Sequence, residues 1–161
     1  GQTLLLHLAD LIKSKNIPFK LYIAGTGALN KKLNEEISKR GLEKEVVLLG
    51  FVEDINAFMN SIDLFLLSSL YEGFGYVITE AMVHSKPVVA FNIASMPEII
   101  VHDKTGFLVN SYNVNEFAEY TVQLINNPDL RKKMGENGLV RVKEKFDLKD
   151  SISRLEHYLL E

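Results

Sequence analysis

The stretch LFLLSSLYEGFGYVITEAM, Leu64 to Met82, changes period partway along, and that change decides the fold. Leu64 to Leu67 is a short, fully apolar run, the pattern of a buried strand. Tyr76 to His84 spaces its apolar residues as a helix does. Between them lies a turn holding Gly73-Phe74-Gly75. Two glutamates bracket this turn: Glu72 just before it, and Glu80 about one turn inside the helix. A helix N-terminus presents free N–H donors and partial positive charge, which suits phosphate. Glycine lets a ligand come close to the backbone. A carboxylate accepts well from a vicinal diol such as that of ribose. The plainer roles are a helix cap for Glu72 and a solvated helix position for Glu80. Against them stand the paired glycines and the apolar residues beside Glu80, namely Val77, Ile78, Ala81 and Met82.

The same unit recurs on both sides of this stretch. Leu4, Leu5, Leu8, Leu11 and Ile12 share one helical face, and Asn16-Ile17-Pro18 ends that helix. Strands are expected at Phe19–Ala24, Val46–Leu49, Pro87–Phe91 and Gly106–Val109. Helices are expected at Leu29–Arg40, Ile55–Ser61, Val114–Asn126, Pro128–Phe146 and Leu148–Leu160, with one helical turn at Met96–Val101. Short strands that are apolar on both faces and alternate with helices specify a parallel sheet covered on both sides. The fold class is therefore α/β, a Rossmann-like doubly wound parallel sheet. No linker or repeat divides residues 1–161, which read as one domain. The chain enters its first helix directly from Gly1, and a strand is expected ahead of that helix.

Composition narrows the functions. With 161 residues, 47% hydrophobic and 24% charged, the chain can bury a core. A net charge of −3 without a basic run speaks against a nucleic-acid partner. The absence of cysteine excludes disulfides, thiolate–zinc sites and thiol nucleophiles, and fits a cytoplasmic setting. No apolar run approaches the ~20 residues of a membrane span.

In a parallel sheet, ligands bind beyond the carboxyl ends of the strands. The turns there are Gly25-Thr26-Gly27, Gly50-Phe51-Val52, Ser68–Gly75, Asn92–Met96 and Asn110-Ser111. Asn30 stands where a dinucleotide fingerprint has its third glycine, so Gly25 and Gly27 serve a tight turn as readily as a ligand. Lys31-Lys32 fits a solvated helix face better than a phosphate site. Glu98, after Pro97, is balanced between capping and proximity to the ligand. His7, His84, His102 and His157 show no metal-ligand spacing. Asp-x-Asp, P-loop and GxSxG patterns are absent, which removes three other chemistries. Arg131-Lys132-Lys133 reads as a solvated helix, with contact to an anionic membrane surface as the alternative. Leu155, Tyr158 and Leu159 make an apolar stripe near the C-terminus.

The segment EGFGYVITEAMVHSKPVVAFNIASMPEII, Glu72 to Ile100, resembles the signature of retaining, nucleotide-sugar-dependent glycosyltransferases of the GT-B fold, family 4 (group 1). IAGTGAL, VVLLGFVED, SLYEGFG, KPVVA, MPEII and KTGFLV follow in that family's order, so the resemblance covers nearly the whole chain. It implies the C-terminal, donor-binding half of such an enzyme, with the acceptor-binding N-terminal domain outside the chain. By position, Glu80 would hold the ribose hydroxyls, and Glu72 would lie near the donor sugar and the reaction centre. Gly73, Phe74, Gly75, Tyr76 and Val77 would present backbone N–H groups to the diphosphate. Phe51 and Val52 would line the base pocket. The donor would be a UDP-, GDP- or ADP-hexose, transferred with retention to a saccharide or lipid hydroxyl, without cofactor or metal. The implied setting is the cytoplasm or its membrane face, in polysaccharide biosynthesis. The family's phosphate-binding Arg and Lys precede the first helix and are not in this sequence, so weak donor binding and no turnover are expected of the chain alone. Ser68-Ser69 departs from the usual Pro-Ser. The alternative is a non-catalytic module that binds nucleotide sugars.

Overall fold

A computed structural model of the chain describes residues 1–146. The elements run α1 (Gln2–Ser14), β1 (Leu21–Ala24), α2 (Asn30–Lys39), β2 (Val46–Gly50), α3 (Ile55–Ser61), β3 (Phe65–Leu67), α4 (Tyr76–Val83), β4 (Val88–Phe91), α5 (Met96–Ile99), β5 (Gly106–Val109), α6 (Val114–Asn126) and α7 (Pro128–Lys145). Each corresponds to an element expected from the pattern. The helix expected at Leu148–Leu160 lies outside the described residues.

All strand pairs are parallel. β1 pairs with β2, and β3-β4-β5 form a second run with β4 in the middle. One hydrophobic core joins the two runs: Leu5, Leu8 and Ile12 of α1 pack with Ile23 of β1 and with Val89 and Phe91 of β4. A second core lies on the other face, where Ile78, Ala81 and Met82 of α4 meet Val88 and Ala90. Helices therefore cover both faces, and β4 is buried along its whole length. β1 and β3 are not, although they are just as apolar. Tyr22 in β1 is 43% exposed, and every residue of β3 is partly accessible.

The helix ends follow local chemistry. Asp54 caps α3 by accepting from the Ala57 N–H at 2.8 Å. Asn113 and Asn127 cap α6 and α7 in the same way, through the N–H groups of Glu116 and Leu130. α7 approaches α4 closely because it carries glycine at the crossing. A Cβ on Gly135 would sit 1.9 Å from the Ser85 carbonyl oxygen, and one on Gly138 would sit 3.2 Å from Met82 Cγ.

Candidate functional site

The site begins where β3 gives way to α4. Gly75 is the N-cap of α4, with φ 79° and ψ 47°, a left-handed conformation that L side chains adopt only at a cost. This sharp reversal swings the chain from the strand end into the helix. Among the described residues no side chain caps α4, and no acidic residue lies in its first turn. Its leading N–H groups and the positive end of its dipole are thus left to a ligand or to water.

Five of the residues singled out from the sequence line a single cavity: Gly25, Phe51, Val52, Val77 and Glu80. Ser68 and Ser69 join them at the end of β3. The Gly25 N–H donates to the Gly50 carbonyl at 2.7 Å, which ties the turn after β1 to the turn after β2 and brings Phe51 to the same rim. Phe51 is 75% exposed, a large apolar ring left open to solvent. Glu80 is exposed and makes no side-chain hydrogen bond or ion pair among the described residues.

Glu72, Gly73, Phe74, Gly75, Tyr76 and Gly27 do not line that cavity. The first five form the turn and the start of α4 that border it. Glu72 is half-buried and Tyr76 exposed. Phe74 has a packing role as well: its ring lies 5.1 Å from that of Tyr76 and 5.7 Å from that of Phe146. Gly27 is exposed in the loop before α2. Lys31 and Lys32 are exposed on α2 and do not reach the cavity. Glu98 does not cap α5. His84 Nδ1 contacts the Glu80 carbonyl at 2.8 Å, and His102 Nδ1 accepts the Leu108 N–H at 3.0 Å. Among the described residues, no three His, Cys, Asp or Glu side chains converge as metal ligands.

Three contributors were not visible in the sequence. The Ser95 hydroxyl lies 2.6 Å from the Gly73 carbonyl and 3.0 Å from that of Phe74, so it clamps the turn from α5. Met96 packs beneath Gly75, its Cε 2.7 Å from where a Cβ would stand. Arg141 of α7 donates to the carbonyls of Ile99 and Glu98, each at 2.6 Å, and holds α5 in place. These contacts span 21 to 43 residues, and no local pattern announces them.

The sequence pattern that defines the family "Glycosyl transferases group 1" matches residues 1–141. The chain is 31% identical over 152 residues to the poly(ribitol-phosphate) alpha-N-acetylglucosaminyltransferase of Staphylococcus aureus, covering 94% of this chain and 31% of that enzyme. A crystal structure of a mutant of S. aureus TarM in complex with Fondaparinux, alpha-GlcNAc-glycerol and UDP superposes with a TM-score of 0.91 at 32% identity, over 98% of this chain and 31% of that one. The C-terminal domain of LpcC, a glycosyl transferase group 1 family protein of Francisella tularensis, superposes with a TM-score of 0.82 at 28% identity, over 92% of this chain and 80% of that one. The chain thus spans about a third of the curated relative's length. Its α/β fold is that of the Rossmann-like C-terminal half of GT-B glycosyltransferases, and the chain belongs to the group 1 glycosyl transferase family.

Proposed function

We propose that the chain is the donor-binding domain of a retaining, family 4 glycosyltransferase that takes a hexose from a nucleoside-diphosphate sugar. The acceptor is a saccharide or lipid hydroxyl held by a separate N-terminal domain. The single observation that carries this reading is the shared rim: the open N-terminus of α4 stands beside a cavity lined by Glu80, Phe51 and Gly25. In this reading Glu80 accepts from the ribose hydroxyls, and Phe51 and Val52 border the base. Backbone N–H groups of Gly73 to Val77 meet the diphosphate.

Negative charge grows on the leaving diphosphate as the glycosidic bond breaks. Fixed donors and a helix dipole aimed there stabilise the transition state more than the ground state, without a metal ion. Glu72 acts near the donor sugar as a positioning and electrostatic group. Retention then follows from front-side delivery of the acceptor, with the departing phosphate taking its proton. A TarM complex that contains UDP supports a uridine nucleotide as the first donor to test. Chemistry at the cytoplasmic face of a membrane, in polysaccharide assembly, is part of the same proposal.

Saturation-transfer NMR with UDP, GDP and ADP tests it on this chain and on Glu80→Ala. The expected result is contact at the ribose protons of one nucleotide, lost in the variant. If no nucleotide binds, either here or in a chain extended upstream of Gly1, the donor-site reading is refuted.

A further inference from the structure

The turn before α4 presents backbone groups, so what matters in it is the direction of each peptide. A trans peptide holds its C=O and the next residue's N–H in one plane, pointing opposite ways. The Ser95 hydroxyl lies 2.6 Å from the Gly73 carbonyl oxygen and 3.0 Å from that of Phe74. By gripping those two oxygens it aims the N–H groups of Phe74 and Gly75 away from Ser95. Among the described residues neither N–H has a backbone acceptor.

Ser95 stands where it could cap its own helix and does not. It is the N-cap residue of α5, a position where serine commonly accepts an N–H of the first turn, yet it makes no such bond. Its hydroxyl serves the turn instead. That grip is only as firm as α5, and a helix of four residues, Met96 to Ile99, is too short to hold itself together.

α7 supplies what α5 lacks. Arg141 Nε donates to the Ile99 carbonyl and Nη2 to that of Glu98, each at 2.6 Å. These carbonyls lie at the C-terminal end of α5, which has no further turn to satisfy them, and one planar guanidinium takes both. Among the described residues Arg141 makes no ion pair, so removing it strands no carboxylate. Val142 packs in the same core as Met96 and Ile99. Phe146, the C-cap of α7, sets its ring 5.7 Å from that of Phe74. A polar path and an apolar path thus run from α7 to one turn, although neither Arg141 nor Phe146 lines the cavity.

We infer that Arg141 is a positioning residue for the donor diphosphate. It fixes α5, α5 fixes Ser95, and Ser95 fixes the directions of the Phe74 and Gly75 N–H groups. This role rests on the reading of the turn as the diphosphate site. If only about a tenth of the molecules keep the binding arrangement once Arg141 is lost, apparent affinity falls about tenfold.

The test measures UDP affinity by NMR titration, with urea midpoints on the same samples. The proteins are the parent chain, Arg141→Met, Arg141→Lys, Ser95→Ala, the Arg141→Met/Ser95→Ala double variant and Asn137→Ala. Asn137 is the control, since it donates from the same helix to the Lys104 carbonyl, outside this path. Arg141→Met should weaken UDP about tenfold. Arg141→Lys keeps the charge and a donor and should recover part of the loss; should Arg141→Met not fold, it carries the same comparison. Ser95→Ala should also weaken UDP. The double variant should be no weaker than the poorer single variant, because both break one path. Asn137→Ala should bind as the parent does. Unchanged UDP affinity in Arg141→Met beside a lowered urea midpoint leaves the arginine a packing role and overturns the inference. So do additive losses in the double variant, or an equal loss in Asn137→Ala. If UDP, GDP and ADP all fail to bind the parent, the donor reading falls separately. The Phe74 and Gly75 amide resonances of the ligand-free protein then decide whether Arg141 sets the turn. Movement of both in Arg141→Met and in Ser95→Ala supports the coupling, and their constancy overturns it.

Discussion

Replacing Gly75 and Gly73 separately by alanine divides what the fold needs from what a ligand needs. Gly75 is left-handed at φ 79°, and an alanine there costs about 1–2 kcal/mol of backbone strain. Its Cβ would stand 2.7 Å from Met96 Cε, so the methyl must retreat by about 0.7 Å to reach ordinary contact. Met96 is 1% exposed, and bending a packed side chain off its rotamer adds about 0.5–1.5 kcal/mol. Gly75→Ala should therefore destabilise the domain by about 1.5–3.5 kcal/mol, lowering Tm by roughly 3–14 °C in a chain of this size. Gly73 has no positive φ, and a Cβ added there would meet no atom within 4 Å. Gly73→Ala should leave stability within about 0.5 kcal/mol and yet weaken the nucleotide found by NMR at least tenfold, because the new methyl crowds the diphosphate. Urea denaturation and nucleotide titration on the same samples read both effects. Equal stability of the two variants would refute the left-handed turn. Unchanged nucleotide affinity of Gly73→Ala would remove that glycine from the donor site.

Three further outcomes follow from other contacts. Gly135→Ala drives a methyl into the backbone carbonyl of Ser85, whereas Gly138→Ala meets only the flexible Met82 side chain. Alanine favours helix interiors by about 1 kcal/mol, so urea midpoints should show Gly138→Ala neutral or stabilised and Gly135→Ala destabilised by about 1–3 kcal/mol. Ser95→Ala removes the hydroxyl bridging Gly73 and Phe74 and should cost about 1 kcal/mol in denaturation, with faster hydrogen exchange across the turn. Tyr120 stacks on Phe107 at 4.2 Å, and burial, followed by the Glu116 charge, raises its phenol above the usual range. A raised folded-state pKa gives stability that is complete below pH about 10 and is lost as pH rises through the folded value. Tyr120→Phe should abolish that alkaline loss in urea titrations at increasing pH.

The order of elements was legible because each strand is a short apolar run ended by a turn, and each helix shows its buried face at the right spacing. Leu33 and Ile37 in α2 are an example: they stand four residues apart in an otherwise charged helix, and both are buried. In α1 the buried face is wider than expected and includes Leu6 and Ala9, because α1 packs against α6 as well as the sheet. The glycine turn was legible from residue type alone. What holds the turn was not. Ser95, Met96 and Arg141 act across gaps of tens of residues, and serine, methionine and arginine at those positions look like ordinary loop, core and surface choices. The uneven burial of β1 and β3 was illegible for a related reason. Among the described residues each has one strand partner, and an apolar run does not announce which of its edges is paired.

That mismatch bears on the candidate site. A carboxylate and an open helix terminus recognise a ligand only if their separation is fixed. Glu80 and the turn before α4 are fixed to β3 and β4 through Ile78, Ala81 and Ser95. Gly25 and Phe51 belong to the β1–β2 pair. Among the described residues the two halves of the rim are joined through the packing of α1 against both, not by strand pairing. The rim that Gly25, Phe51 and Glu80 share is therefore set by the packing of α1 across both strand runs rather than by any one turn.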